Sequence, residues 1–534
     1  MRRASNVSAA AVVGLALVAC SDPSGPGGDA EGPRTVRLAE YEEYATLNPL
    51  DTMYGITSKL YDGLYSVAAD GTMAPDLATA APEVEVDESS TRWTVQLQDG
   101  VEFSDGTSLD SQDVAATYRA IVDPAYASPL ASAFPFLTDV TAPDSTTVQF
   151  TLSEPYAAFP TALTVGIVPS ERLTGTVLDS PLNREPVGSG PYALDEWRAG
   201  DSLTLVASDT YRGERPDVER IVVAFVADEN VRSQRLRAGD FDGAQLPPRA
   251  AQEIDGVDGI TVFTNPTADY RAVTLPPGVV AFRDPVVRRA LNLAVDREAM
   301  VEGILRGYGH AAATPFTAAQ GDVFDPDLQY AYDPREAAAL LDSAGWVPGA
   351  DGVRAKGGEP LSFTIMYFAE DTLRRDLALA VASDLSAVGA QVAAEAVDSP
   401  GAAAGMGTKA FVLGGGDRPY DPDTQVYTAL HSSYAPHDPQ DAYSNPSGYA
   451  DPRADALLDA GRRSVDPQVR TQTYRDLQDV LVANPPMITL VTLEHTYAAR
   501  GLDDYTGVEH VVEPHEHGVA WGPWWNIEQW RVAS

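Results

Sequence analysis

Three histidines and two glutamates crowd one stretch near the C-terminal end of this sequence: His510, Glu513, His515, Glu516 and His517. Imidazole and carboxylate are good ligands for Zn or Ni. On a strand, His515 and His517 would share one side, because side chains alternate with period two. No cysteine or fixed fourth ligand completes the set. The plainer expectation is a polar surface loop that binds no metal. A second cluster is Gly415-Gly416-Asp417-Arg418-Pro419-Tyr420-Asp421-Pro422-Asp423. It sets a carboxylate, a guanidinium and a phenol just beyond a short apolar strand. An acid there suits an ammonium group, which is costly to bury unless charge and hydrogen bonds meet it. The alternative is that Asp417 only caps a turn. The aromatic run Trp521-Gly522-Pro523-Trp524-Trp525 can line a cleft or pack a core, and packing is the favoured expectation.

Cys20 is the one cysteine of 534 residues. A lone thiol in an exported chain forms no internal disulfide. Arg2 and Arg3 precede an apolar run of about ten residues, the length of a signal-peptide core and too short to span a bilayer. The run ends in Leu17-Val18-Ala19-Cys20, which resembles a bacterial lipobox, where the signal is cut before a cysteine that is then acylated. Residues 1–19 are therefore expected to be a lipoprotein signal peptide and 20–33 a flexible tether. This places the protein outside the cytoplasm, anchored to the cell membrane.

Signatures of catalysis are missing. There is no HExxH and no GxSxG. Gly405-Met406-Gly407-Thr408-Lys409 lacks the Gly-Lys-Ser/Thr of a phosphate loop. A hydrolase using two carboxylates stays open on composition alone, because the chain holds 77 acidic residues. Those acids against 37 basic residues give a net charge of −40, which argues against nucleic acid as a partner. No enzyme activity and no cofactor are expected.

The elements that would position these groups alternate between strands and helices. Strands are expected at 34–40, 91–97, 146–152, 220–226, 361–367, 391–394, 410–413 and 487–492. Helices are expected at 56–64, from Asp110 to Ile121, from 286 to 307, along Leu373 to Val388, and from Asp466 to Ala483. This is the pattern of an α/β protein with largely parallel sheets. A chain of this length is expected to form two or three domains.

Several ordered segments resemble the family 5 extracellular solute-binding proteins of peptide- and nickel-importing ABC systems. They are Leu47-Asn48-Pro49, Leu60-Tyr61-Asp62-Gly63-Leu64, Gly100-Val101-Glu102-Phe103-Ser104-Asp105-Gly106-Thr107 and Pro186-Val187-Gly188-Ser189-Gly190-Pro191-Tyr192. The run Asp284-Pro285-Val286-Val287-Arg288-Arg289-Ala290-Leu291-Asn292-Leu293-Ala294-Val295-Asp296-Arg297 is a further match. The resemblance implies a two-lobed periplasmic-binding-protein-like fold with an extra inserted domain and a ligand cleft between lobes. It implies a discontinuous first domain at 34–64, 186–275 and 491–534, an insert at 65–185 and a second ligand lobe at 276–490. It implies a monomer that captures a small peptide or similar solute and delivers it to ABC permease subunits. A nickel or metal-chelate receptor is the alternative within the family. Asp417 matches the aspartate that holds a peptide's α-amino group in peptide-binding members. Arg418, Tyr420, Tyr44, Tyr367 and Trp521 are the further ligand-binding candidates.

Overall fold

The computed structural model describes residues 34–52, 55–86, 90–416, 420–436, 438 and 441–533. The signal-like run, the tether and Cys20 lie outside the described residues, as do Asp417 and Arg418.

Local signals set most elements. The alternating Thr91–Gln96 forms a strand with every second residue buried. Helix Ser111–Val122 begins at Asp110, whose side chain and that of Asp113 form a reciprocal capping box. Helix Thr372–Ala387 buries Leu377, Ala378, Val381 and Leu385, the spacing of one helical face. Gly389, at φ +91°, lets the chain turn away after it.

Four expectations are corrected. Residues 286–307 do not form one helix. Asp296 caps a second helix, Arg297–Gly303, after the first, Pro285–Leu293, has ended. Buried Arg297 donates to Ala312 O and Thr489 O, so the break is tied into the core. The helix expected at 56–64 is one turn, Thr57–Leu60, stopped where Tyr61 becomes extended. The strand at 487 runs on to Ala499. Finally, the main sheet is mixed rather than largely parallel. Its parallel pairs join Thr35–Glu40 to Arg220–Phe225 and to Gly243–Gln245, and Ser362–Phe368 to Gln391–Val397 and to Ala410–Gly415. At its centre, Thr261–Thr274 and Met487–Ala499 run antiparallel.

That sheet has eleven strands and passes through both halves of the molecule. Apart from it, Glu83–Val86, Thr91–Gln96, Thr147–Leu152 and Leu137–Asp144 make a four-stranded antiparallel sheet. One core joins Val36 and Leu38 to Trp93 and Phe150 and ends on Trp524, Ile527 and Trp530. A second gathers Val273, Leu291, Ile365, Leu377 and Leu493. The aromatic run therefore packs, as expected, in its middle: the Trp524 ring meets Tyr497 edge-on and fills the space that Gly243 leaves by having no side chain.

Candidate functional site

The two central strands pair from Thr261 opposite Ala499 to Thr274 opposite Met487, but the register slips between Pro266 and Tyr270. The C-terminal segment takes up the freed backbone groups. Glu513 N donates to Pro266 O at 2.9 Å, and Ala268 N donates to Glu513 O at 3.1 Å. The irregularity thus brings three distant pieces of chain together around buried polar groups.

Asp269, His495 and Glu513 are the centre of this knot, and all three are buried. His495 Nδ1 lies 2.7 Å from Glu513 Oε2, and its Nε2 lies 3.2 Å from Asp269 Oδ2. With a carboxylate on each ring nitrogen, His495 is an imidazolium. Burial alone would lower its pKa, but the hydrogen bonds and charges of Asp269 and Glu513 push it up to about 9. Asp269 also takes His515 Nδ1 at 2.7 Å and a contact from Arg271. Burial would raise the Asp269 carboxyl, yet the Arg271 and His515 charges and the histidine hydrogen bonds hold it well below the usual range. Glu513 further accepts from Tyr497 Oη at 2.6 Å and from Gly522 N at 2.9 Å.

The knot also touches the second half. A Cβ at Gly414 would lie 2.5 Å from His515 Cε1 and 2.7 Å from Arg374 Nη2, so the lack of a side chain there lets both approach the strand. His517 stands edge-on to His495 with ring centres 5.0 Å apart. Burial, then the charges of His495 and His515, hold His517 well below its ordinary pKa, so it is neutral.

Two cavities flank this region. A recess of about 300 Å³ is walled by Glu40, Tyr41, Glu42, Tyr44, Glu516 and His517. In it, burial pushes the Glu40 carboxyl up to about 7. This happens although Tyr41 N and Val519 N each donate to Glu40 at 2.9 Å. The second cavity, about 350 Å³, lies between Ser132, Pro135 and Tyr156 on one side and residues 413–462 on the other. Gly414, Gly415 and Gly416 form part of its wall.

The sequence candidates separate on this map. Tyr44 stands in the recess and donates to Glu40 Oε2 at 3.2 Å. Tyr420 is half-buried, and its hydroxyl reaches Val512 O at 3.5 Å, so it spans from the second half to the C-terminal segment. Trp521 lines a third cavity of about 440 Å³ together with Tyr61 and Trp525. Tyr367 packs against the second core. Asp421 and Asp423 have structural work: Asp421 caps helix Pro422–Leu430 and pairs with Arg470, and Asp423 pairs with Arg462 through two 2.9 Å bonds.

The histidine segment is not the polar surface loop the sequence suggests, nor a strand. His517 and His515 are folded inward by Asp269 and His495, while His510 lies apart, stacked on Phe263 at 4.2 Å. Among the described residues no three His, Cys, Asp or Glu side chains form a group that could hold a metal ion. The sequence reading missed Asp269, Arg271, Arg374 and His495. The signal available was the strand pattern itself, had it been carried past Thr492 to His495.

Two halves with separate cores, joined by continuous strands and with one cavity walled by residues of both, define a two-lobed binding protein. Comparison with known proteins agrees. Residues 72–436 match the family model described as bacterial extracellular solute-binding proteins, family 5 Middle. The chain is 41% identical over 502 residues to Protein XP55 of Streptomyces lividans, covering 92% of this chain and 90% of that protein. It is 25% identical over 476 residues to the glutathione-binding protein GsiB of Escherichia coli strain K12, covering 86% and 89%. It superposes on the crystal structure of NikZ from Campylobacter jejuni in complex with Ni(L-His) with a TM-score of 0.81 and 26% identity, covering 93% and 99%. The chain belongs to the family 5 extracellular solute-binding proteins of ABC importers.

Proposed function

We propose that this protein captures a small peptide outside the cell and presents it to its permease. The observation that carries this reading is the cavity of about 350 Å³ lined by Gly414, Gly415 and Gly416, the residues that precede Asp417 in the sequence. In this reading that cavity lies between the insert, at Ser132, Pro135 and Tyr156, and the second lobe, with Tyr270 of the first lobe also in its wall. In this reading Asp417 pairs with the α-ammonium of the peptide, and Tyr420 and Arg418 stand beside it. The first lobe is made of residues 34–64, 186–275 and 491–534, the insert of 65–185 and the second lobe of 276–490. The likeness to GsiB supports a peptide ligand, since glutathione is itself a tripeptide.

A metal chelate is the second reading, favoured by the likeness to a protein solved with Ni(L-His). The described residues offer no three-ligand group, so nickel would bring most of its own ligands. Mass spectrometry of the protein purified under native conditions separates the two. Retained peptides support the first reading; a retained nickel chelate without peptide replaces it with the second.

The lipid anchor is part of the same proposal and rests on Cys20. Acyl chains supply such attachment. A Cys20→Ser variant is expected to move from the membrane fraction to the soluble fraction. Unchanged membrane retention would remove the anchor from the proposal.

A further inference from the structure

The insert at 65–185 continues in sequence only into the first lobe, yet it touches the second lobe where helix Pro452–Arg463 ends. A helix leaves its last carbonyls without partners of its own. Ala157 N, from the insert, donates to one of them, Arg462 O, at 3.1 Å. Beside this bond, half-exposed Glu154 of the insert lies 3.4 Å from Arg463.

The Arg462 side chain is buried at the same junction. Its Nε and Nη2 donate to the two oxygens of Asp423 at 2.9 Å each. Its guanidinium carbon lies 3.1 Å from the centre of the Tyr427 ring, 5.5 Å from that of Tyr156 and 5.8 Å from that of Phe136. Asp423 and Tyr427 belong to helix Pro422–Leu430 of the second lobe, where Tyr427 Oη donates to Asp459 at 2.9 Å. Phe136 and Tyr156 belong to the insert. They flank the same end of the strand pair Leu137–Asp144 and Thr147–Leu152, with rings 5.6 Å apart and edge-on. One guanidinium therefore meets aromatic rings from both bodies. Such a cation is drawn to ring faces, more strongly once water is excluded.

The partners divide by where they sit. Asp423 and Tyr427 stay with Arg462 whatever the insert does. Phe136, Tyr156, the Ala157 bond and the Glu154 pair are lost if the insert moves away. None of these residues lies on Thr261–Thr274 or Met487–Ala499, the strands that join the halves, so the chain path does not enforce the contact. Its loss strands no charge, because Asp423 keeps its cation, and breaking it is cheap enough to be reversible.

We propose that Arg462 is a latch for the closed form, carried ready by Asp423 and received by Phe136 and Tyr156 when the cleft shuts. The insert then takes part in holding the cleft closed. The proposal rests on the lobe assignment above and not on the identity of the ligand.

The test measures the distance between insert and second lobe in the full chain carrying Cys20→Ser, with no ligand added. Spin labels are placed on cysteines at exposed Thr138 and Gln468, and the distances are read by pulsed dipolar spectroscopy. The otherwise unaltered chain is expected to show a short and a long distance in exchange. Arg462→Lys keeps a charge for Asp423 but has no flat face to stack. It is expected to lower the ratio of short to long about tenfold, with the melting temperature little changed. If that variant does not fold, Phe136→Ala decides, since it removes a ring of the insert and leaves the Arg462–Asp423 pair intact. A fall in the ratio is expected there too. An unchanged ratio in either folded variant overturns the latch. A single distance in the unaltered chain overturns it as well: long alone means the contact does not form, and short alone means a permanent joint. Because no ligand is present, none of these outcomes bears on the peptide reading, which mass spectrometry tests separately.

Discussion

Asp269→Asn is expected to destabilise the folded protein by about 3–5 kcal/mol, the cost of leaving buried cations without their partner. Asp269 lies against Arg271, His495 and His515, and its side chain has no exposure of its own. Asparagine keeps the volume but removes the charge. The loss should also change the dependence of stability on pH. His495 is held at about 9 in the folded state, against about 6.5 in an unfolded chain. A raised histidine pKa contributes stability that is complete below 6.5 and fades as pH rises toward 9. Removing one of its two carboxylates should flatten that decline. Denaturant unfolding of both proteins at pH 6, 7.5 and 9 measures both effects. Equal stability at all three would show that Asp269 does not hold the knot together.

Asp417→Ala is expected to lower affinity for the captured peptide at least about a hundredfold. The reasoning is the same in a different place: an ammonium enclosed in a closed cleft without its carboxylate loses on the order of 3–5 kcal/mol, and each 1.4 kcal/mol is tenfold. Stability without ligand should change little. An aspartate serving an open, wet cleft supports no core. The measurement is a calorimetric titration with the peptide recovered by mass spectrometry. Equal affinities would take Asp417 out of the site and weaken the peptide reading with it. Comparing the two variants separates roles: one should lose folding stability, the other only binding.

Much of the fold can be read from local pattern. The alternation at Thr91–Gln96 and the three- and four-residue spacing along Thr372–Ala387 reflect which faces are buried, so the sequence carries them. The length of Met487–Ala499 is not carried this way. Its later residues include Glu494, His495 and Thr496, which break an apolar run, and His495 and Thr496 are buried only because partners arrive from elsewhere. The knot fails to show for the same reason. Positions 269, 495 and 513 are far apart in the chain, and none has a motif around it. His515 and His517 were visible, but as members of a polar cluster with His510, Glu513 and Glu516. Without Asp269 and His495 opposite them, nothing distinguishes an inward-facing segment from a surface loop. The split of residues 286–307 was legible in principle, because Asp296 before Arg297 is an ordinary helix-starting pair.

The packing of Trp524 and Trp530 against the same core as Val36 has a consequence for the order in which the chain can fold. A polypeptide emerges from the ribosome, and threads through a membrane pore, N-terminus first. Strand Thr35–Glu40 is neighboured by Gly243–Gln245, which in turn leans on Met487–Ala499. Until those late residues emerge, the earliest strand lies on an unfinished sheet over an unfinished core. The sheet around Thr35–Glu40 is therefore completed only once nearly the whole chain is available. An exported protein gains from that delay, because premature compaction would jam the pore.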